Sequence, residues 1–288
     1  MKKINDFGTN LIGIYEKAFP SELSWEERLE QARQAGYDFV EMSVDDSDER
    51  LARLNWDSSS RDSLRRSIEK TGIPILTMGL SAHRKYPLGS ASDDVRKRGL
   101  EILHQAIVLA KDLGIRIIQL MGYDVFYEKS DENTKEKYLH GLMQGASWAS
   151  AAGVMLALEN VDVDTVNSVE KALTFVKKVN SPWLNLYPDM GNLVAFGYDP
   201  VTQLRLAGKY LVSVHIKDAL PGEVRGIQFN KGMVPFSETF KTLYEMNFSG
   251  PLVVEMWAHL DKTGNPLHAA KEARQFIEQI INAIMKDG

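Results

Sequence analysis

The chain has 288 residues, 44% hydrophobic and 25% charged, with a formal net charge of −5 and no cysteine. That composition can bury a sizeable core, while the missing thiols exclude disulfides, thiolate metal sites and cysteine nucleophiles. The acidic balance opposes a polyanion such as DNA, no apolar run approaches the roughly 18 residues of a membrane span, and the opening MKKINDFGTNLIGIYEKAF lacks the apolar core of a secretion signal, so the expectation is a cytoplasmic protein with neither nucleic acid nor membrane as partner.

A first strand is expected over residues 11–14. A unit then recurs: an amphipathic stretch ends near a glycine and a short apolar run follows. It appears at Gly36 in QARQAGYDFVEMS, Gly72 in IEKTGIPILTMGL, Gly114 in AKDLGIRIIQLMG and Gly153 in ASAAGVMLALEN, then at Gly208 in LAGKYLVSVHIKD and Gly250 in EMNFSGPLVVEMW. In KKVNSPWLNLYPD the sequence Asn180-Ser181-Pro182 takes the place of glycine. Glycine adopts the left-handed conformation that ends a helix before the chain turns into a strand. Runs such as 154–158, 211–216 and 252–254 are apolar on both faces, as in buried parallel strands. Eight strands in 288 residues leave about 36 residues per unit, enough for a strand and a crossover helix.

The intervening segments read as helices. Ser24 followed by Glu27 forms a capping box. SSSRDSLRRSIEKTG places Leu64 and Ile68 at helical spacing, and DDVRKRGLEILHQAIVLAKDLG aligns Leu100, Leu103, Ile107 and Ala110 on one face. A last helix spans 266–285. The reading is one α/β domain over 1–288, a (β/α)8 TIM barrel. The alternative, an open doubly wound sheet, would carry a glycine-rich turn after its first strand, and GIYEKAFP has none.

Barrel chemistry gathers at the C-terminal ends of the strands. There the sequence sets Tyr15-Glu16-Lys17, Glu41-Met42-Ser43, Ser81-Ala82-His83-Arg84 and Gly122-Tyr123-Asp124, then Glu159-Asn160, Asp189, His215 with Lys217-Asp218, and Glu255-Met256-Trp257. Strands five to eight thus deliver Glu159, Asp189, His215 and Glu255 to one rim. Three adjacent carboxylates repel unless a cation or protons neutralise them, and an oxygen-rich set with one imidazole suits one divalent ion. Salt bridging or helix capping is the alternative for each residue alone. Glu16 and Glu41 are candidates for substrate hydroxyls or for pairing with Lys17 or Arg84. Tyr123 and Trp257 could pack against a sugar or in the core.

Several segments carry a family likeness. LALEN, LYPDMGN, VHIKD and VVEMW resemble the sugar phosphate isomerases and epimerases of the xylose-isomerase-like barrels. GIYEKA, FVEMSVDDSDERLARLNW, LSAHRKYPLGS, IQLMGYDVFYE and YPDMGNL resemble the L-ribulose-5-phosphate 3-epimerase family, which also acts on L-xylulose 5-phosphate. The likeness covers nearly the whole chain. It implies a metal-dependent isomerase of carbohydrate catabolism acting on a ketopentose phosphate, as a homodimer or larger homo-oligomer. The ion would be Mn²⁺ or Zn²⁺, with Mg²⁺ or Co²⁺ as alternatives, held by Glu159, Asp189, His215 and Glu255. The two glutamates would also move the C3 proton, one on each face of the carbon.

Two departures separate the chain from ketose 3-epimerases of free sugars. Asn192 stands where those carry histidine, and Lys217-Asp218-Ala219 stands where they place arginine; both touch substrate contacts. A C5 phosphate needs cations at the rim, and Lys17, His83, Arg84 and Lys231 are the candidates. Other readings on the same barrel are a different sugar or sugar-phosphate isomerase and a polyol dehydratase. A DNA-repair endonuclease would need more rim histidines than the six present allow, and a sugar-phosphate sensor would be expected to lose an acid/base carboxylate.

Overall fold

Each apolar run forms a parallel strand in the computed structural model, which describes residues 7–287; Lys2 and Lys3, which entered the reading of the N-terminus, lie outside the described residues. The strands are β1 (Ile12–Tyr15), β2 (Phe39–Val44), β3 (Ile75–Leu80), β4 (Ile117–Met121), β5 (Met155–Glu159), β6 (Leu184–Leu186), β7 (Val214–Ile216) and β8 (Leu252–Val254). They form one sheet in the order β6-β5-β4-β3-β2-β1-β8-β7. Its two ends meet: parallel bridges join Leu186 to Leu211 and Asp189 to His215. His215 N–H donates to Pro188 O at 2.8 Å and Val212 N–H to Leu186 O at 3.0 Å. This seam closes the barrel and excludes the open doubly wound sheet.

The helices are α1 (Trp25–Gln34), α2 (Asp48–Leu51), α3 (Ser58–Thr71), α4 (Asp93–Leu113), α5 (Glu132–Ala152), α6 (Val169–Val179), α7 (Met190–Ala195), α8 (Pro200–Ala207), α9 (Phe236–Glu245) and α10 (Pro266–Asp287). The capping box at Ser24 and Glu27 is present. Left-handed Gly72, Gly114 and Gly153 end α3, α4 and α5, and Asn180 (φ 49°) does the same for α6. Gly250 departs from the expected role. The left-handed residue of that unit is Asn247 (φ 54°), and Gly250 is small because a Cβ there would lie 2.6 Å from Val212 O. None of the helices among the described residues is long and apolar enough to cross a membrane.

The core has two parts. The larger packs the outer strand faces against the helices. The smaller, formed by Phe39, Ile117, Ala157, Tyr187 and Val253, gathers residues of five different strands or strand ends, which can meet only inside the ring. Gly13 on β1 leaves room for the Phe39 ring, which any Cβ there would overlap. Above this plug the inward positions turn polar: Glu41, Thr77, Gln119, Glu159, Asp189 and His215 are all buried. The strands are therefore apolar on both faces only in their lower half, because the interior alternates with the outer face at period two.

Candidate active site

Four elements converge on one point above the plug. Glu159 is the last residue of β5, His215 lies in β7, Glu255 follows β8, and Asp189 caps α7, its Oδ1 accepting from Asn192 N–H at 2.7 Å. Each offers one ligand atom, and all four atoms lie within 4.8 Å of one another. His215 Nδ1 is 3.1 Å from Glu159 Oε1, 3.8 Å from Asp189 Oδ2 and 3.9 Å from Glu255 Oε2. The exposures are only 2%, 0%, 1% and 9% for Glu159, Asp189, His215 and Glu255, so water does little to screen the mutual repulsion of the carboxylates.

Neighbouring side chains hold these groups. Glu41 Oε1 accepts from His215 Nε2 at 2.7 Å, and its Oε2 accepts from Thr77 Oγ1 at 2.7 Å and from Tyr187 OH at 2.9 Å. A carboxylate can only accept, so the Nε2 proton points at Glu41 and Nδ1 faces the cluster; loss of the Nδ1 proton leaves the tautomer that a metal-binding imidazole needs. The Gln119 amide nitrogen lies 2.9 Å from Nδ1. Asn160 clamps both backbone groups of Asp189: its Oδ1 accepts from Asp189 N–H at 2.9 Å, and its Nδ2 donates to Asp189 O at 3.0 Å.

The donor set fits a divalent ion. Three carboxylates and one imidazole meet in a buried pocket, and Asp189 Oδ2 accepts no aligned hydrogen bond, although the Lys217 ammonium lies 2.9 Å away. Lys217 also donates to Glu255 Oε2 at 2.8 Å. Burial pushes Glu159 up to about 7, with Glu255 and Asp189 adding to the rise and His215 opposing it. Burial also lifts Asp189, to about 6, against the pull of Lys217. It would raise Glu255 too, but Lys217 and His215 outweigh it and hold that carboxyl at about 2. Burial disfavours charge on His215, yet Glu41 and Glu255 keep its pKa well above the ordinary imidazole range.

The mouth above the cluster is a cavity of about 200 Å³. Of the residues expected from sequence, Glu159, Glu255, Lys17, Arg84, Tyr123, Asn192, Lys217 and Trp257 line it. Lys17 is paired with Asp45 at 2.6 Å. The Arg84 guanidinium stacks 4.7 Å from the Phe126 ring, with a buried Nε that has no partner. Tyr123 is buried and donates to Ser81 O at 3.1 Å.

Three expectations are corrected. Glu16 is buried below the rim and bonds Arg53 at 2.5 Å, Arg28 at 3.2 Å and Ser43 N–H at 2.9 Å, so it binds neither a substrate hydroxyl nor the predicted Lys17. Glu41 supports His215 instead of facing the cavity. His83 is 3% exposed and bonds Gly99 O at 3.1 Å; burial holds its pKa down at about 4, so it stays neutral and is no phosphate cation. Lys231 lines an adjoining cavity that shares Lys217, Arg225, Glu255 and Trp257 with the catalytic mouth, so it stays a candidate for the phosphate.

Sequence reasoning missed Gln119, Thr77 and Tyr187 beneath the cluster and Arg225 at the mouth. The available signal for the first two was a lone polar residue inside an apolar run, IIQLM and ILTMGL. Arg225 comes from a loop with no periodic pattern.

A closed eight-stranded barrel with crossover helices is a TIM barrel, and residues 29–280 match the model of the xylose isomerase-like TIM barrel family. Over 267 residues the chain is 43% identical to the L-ribulose-5-phosphate 3-epimerase UlaE of Salmonella paratyphi A, covering 93% of each chain. The UlaE protein of Escherichia coli O139:H28 matches with the same identity and coverage. Among solved structures, an L-ribulose 3-epimerase superposes with a TM-score of 0.81 at 22% identity, over 97% of both chains. A D-psicose 3-epimerase from Clostridium cellulolyticum H10 does so with 0.80 at 18%, over 94% of this chain and 99% of its own. The chain belongs to the L-ribulose-5-phosphate 3-epimerase family of these barrels and is an isomerase.

Proposed function

We propose that the protein interconverts L-ribulose 5-phosphate and L-xylulose 5-phosphate, ketopentose phosphates that differ only in configuration at C3. The observation that carries this reading is the convergence of two glutamates on one buried cluster in a chain 43% identical to L-ribulose-5-phosphate 3-epimerases. Glu159, Asp189, His215 and Glu255 would hold one divalent ion, with Mn²⁺ or Zn²⁺ best suited to the donor set. Bound there, the ion supplies Lewis acidity toward the C2 ketone and so acidifies the C3 proton.

The rest is work for the side chains. Glu159 and Glu255 come from strands separated by β6 and β7, so they reach a carbon between them from different sides. One removes the C3 proton and the other returns a proton to the opposite face, the pairing that inversion requires. Asp189 and His215 act as anchors, kept in place by Asn160 and Glu41. Arg84 and Lys17 line the mouth and serve the phosphate; the unpartnered buried Nε of Arg84 supports that assignment.

The test is incubation with L-ribulose 5-phosphate in D2O, followed by proton NMR. The expected result is loss of the C3 proton signal as L-xylulose 5-phosphate appears, abolished by chelation and restored by Mn²⁺ or Zn²⁺. Glu159→Gln and Glu255→Gln should keep the wild-type circular dichroism spectrum and lose nearly all turnover. Wild-type activity in either variant would end the assignment of the glutamates. An aldose or a dehydrated product would instead favour another isomerase or a dehydratase.

A further inference from the structure

Lys217 stands where its charge competes with a bound cation. Its ammonium lies 2.8 Å from Glu255 Oε2 and 2.9 Å from Asp189 Oδ2. Those two oxygens are the ones turned toward His215 Nδ1, at 3.9 and 3.8 Å, so the lysine occupies the inward oxygens of two of the four cluster residues. The placement is built into the fold. Lys217 is 5% exposed, and its stem runs along Gly191 in the first turn of α7, where a Cβ would lie 2.5 Å from Lys217 Cγ. Gly191 is thus the clearance that lets the side chain reach the cluster. On its other side the ammonium lies 5.5 Å from the centre of the Trp257 ring, and both residues line the catalytic mouth.

We propose that Lys217 is a resident counter-cation of the metal site, a positioning residue that holds Asp189 and Glu255 together while the site is metal-free and is driven toward Trp257 and the mouth when a divalent ion takes their oxygens. Three buried carboxylates repel one another; a tethered ammonium between Asp189 and Glu255 keeps those two converged. The same ammonium lowers affinity for the ion, because two cations contend for the same oxygens. Ordinary scaffolding predicts the opposite, since losing a scaffold residue loosens the ligands and weakens binding.

The inference rests on the metal site proposed above, and the experiment separates the two. Zn²⁺ and Mn²⁺ affinities of the wild type and of Lys217→Met are measured by competition with a chromophoric chelator. Separately, the wild type is reductively methylated with and without Mn²⁺, and labelling at Lys217 is read by mass spectrometry against exposed Lys178. Lys217→Met should bind the ion on the order of tenfold tighter or more, while its metal-free form melts at lower temperature than the wild type. Mn²⁺ should raise labelling at Lys217 severalfold relative to Lys178. No ion binding by the wild type would overturn the metal site and this role with it. Ion binding by the wild type with equal or weaker binding by Lys217→Met, or labelling that Mn²⁺ leaves unchanged, would overturn the role of Lys217 alone. The labelling arm holds even if the variant does not fold.

Discussion

Protonating His83 should cost the protein stability in a defined pH window. The ring is 3% exposed, and burial lowers its pKa from 6.5 to about 4. The unfolded chain therefore binds more protons than the folded one between these values, and stability rises with pH across that range. The stabilising contribution is complete above 6.5 and is lost as pH falls toward about 4. At 1.36 kcal/mol per pKa unit, the depression is worth roughly 3 kcal/mol. The perturbation is His83→Gln, which retains a side-chain donor for Gly99 O and removes the titration. Urea unfolding of both proteins over a pH series isolates the residue, because other titrating groups cancel in the difference. The margin of wild type over variant should shrink by roughly 3 kcal/mol from neutral pH to about pH 4. The variant should also keep a near-normal KM for L-ribulose 5-phosphate. A margin independent of pH, or a KM raised tenfold or more, would return His83 to the phosphate.

Three further outcomes follow from the site and its supports. Metal affinity should fall as pH drops below about 7, because an ion must displace protons from Glu159, at about 7, and Asp189, at about 6, as well as from the His215 imidazolium; chelator competition at several pH values checks this, and a flat profile would contradict it. Glu41→Gln should weaken metal binding by about 10- to 100-fold with little change in secondary structure, since the carboxylate fixes the His215 tautomer through a 2.7 Å bond; titration calorimetry reads the loss. Gly13→Ala should destabilise the barrel by about 2 kcal/mol or more by pushing a methyl into the Phe39 ring, and adding Phe39→Leu should recover part of that loss in urea unfolding.

The agreement between sequence and structure is uneven for a physical reason. Glu159, Asp189, His215 and Glu255 were legible because each is the first ionisable side chain at the end of an apolar run, and the end of a parallel barrel strand is a defined place in space. The repeat of helix, turn and strand was legible because helix period, caps and left-handed turns are local properties. Lys17, Arg84, Tyr123, Asn192, Lys217 and Trp257 also reach the mouth, since each lies within a few residues of a strand end.

Partnership across the ring was not legible. Glu41 meets His215, 174 positions away, and Glu16 meets Arg53, 37 positions away. Nothing near either glutamate in the chain announces whether it faces substrate, metal ligand or arginine. His83 and Arg84 are consecutive, yet one is buried against Gly99 and the other lines the cavity, because neighbouring residues in a turn point in different directions. By itself the sequence determined the barrel, its eight units and the four residues gathered at one rim. Only the tertiary structure decided which polar groups face the cavity and which support it from below, because that depends on strand stagger and on charges brought together from distant parts of the chain.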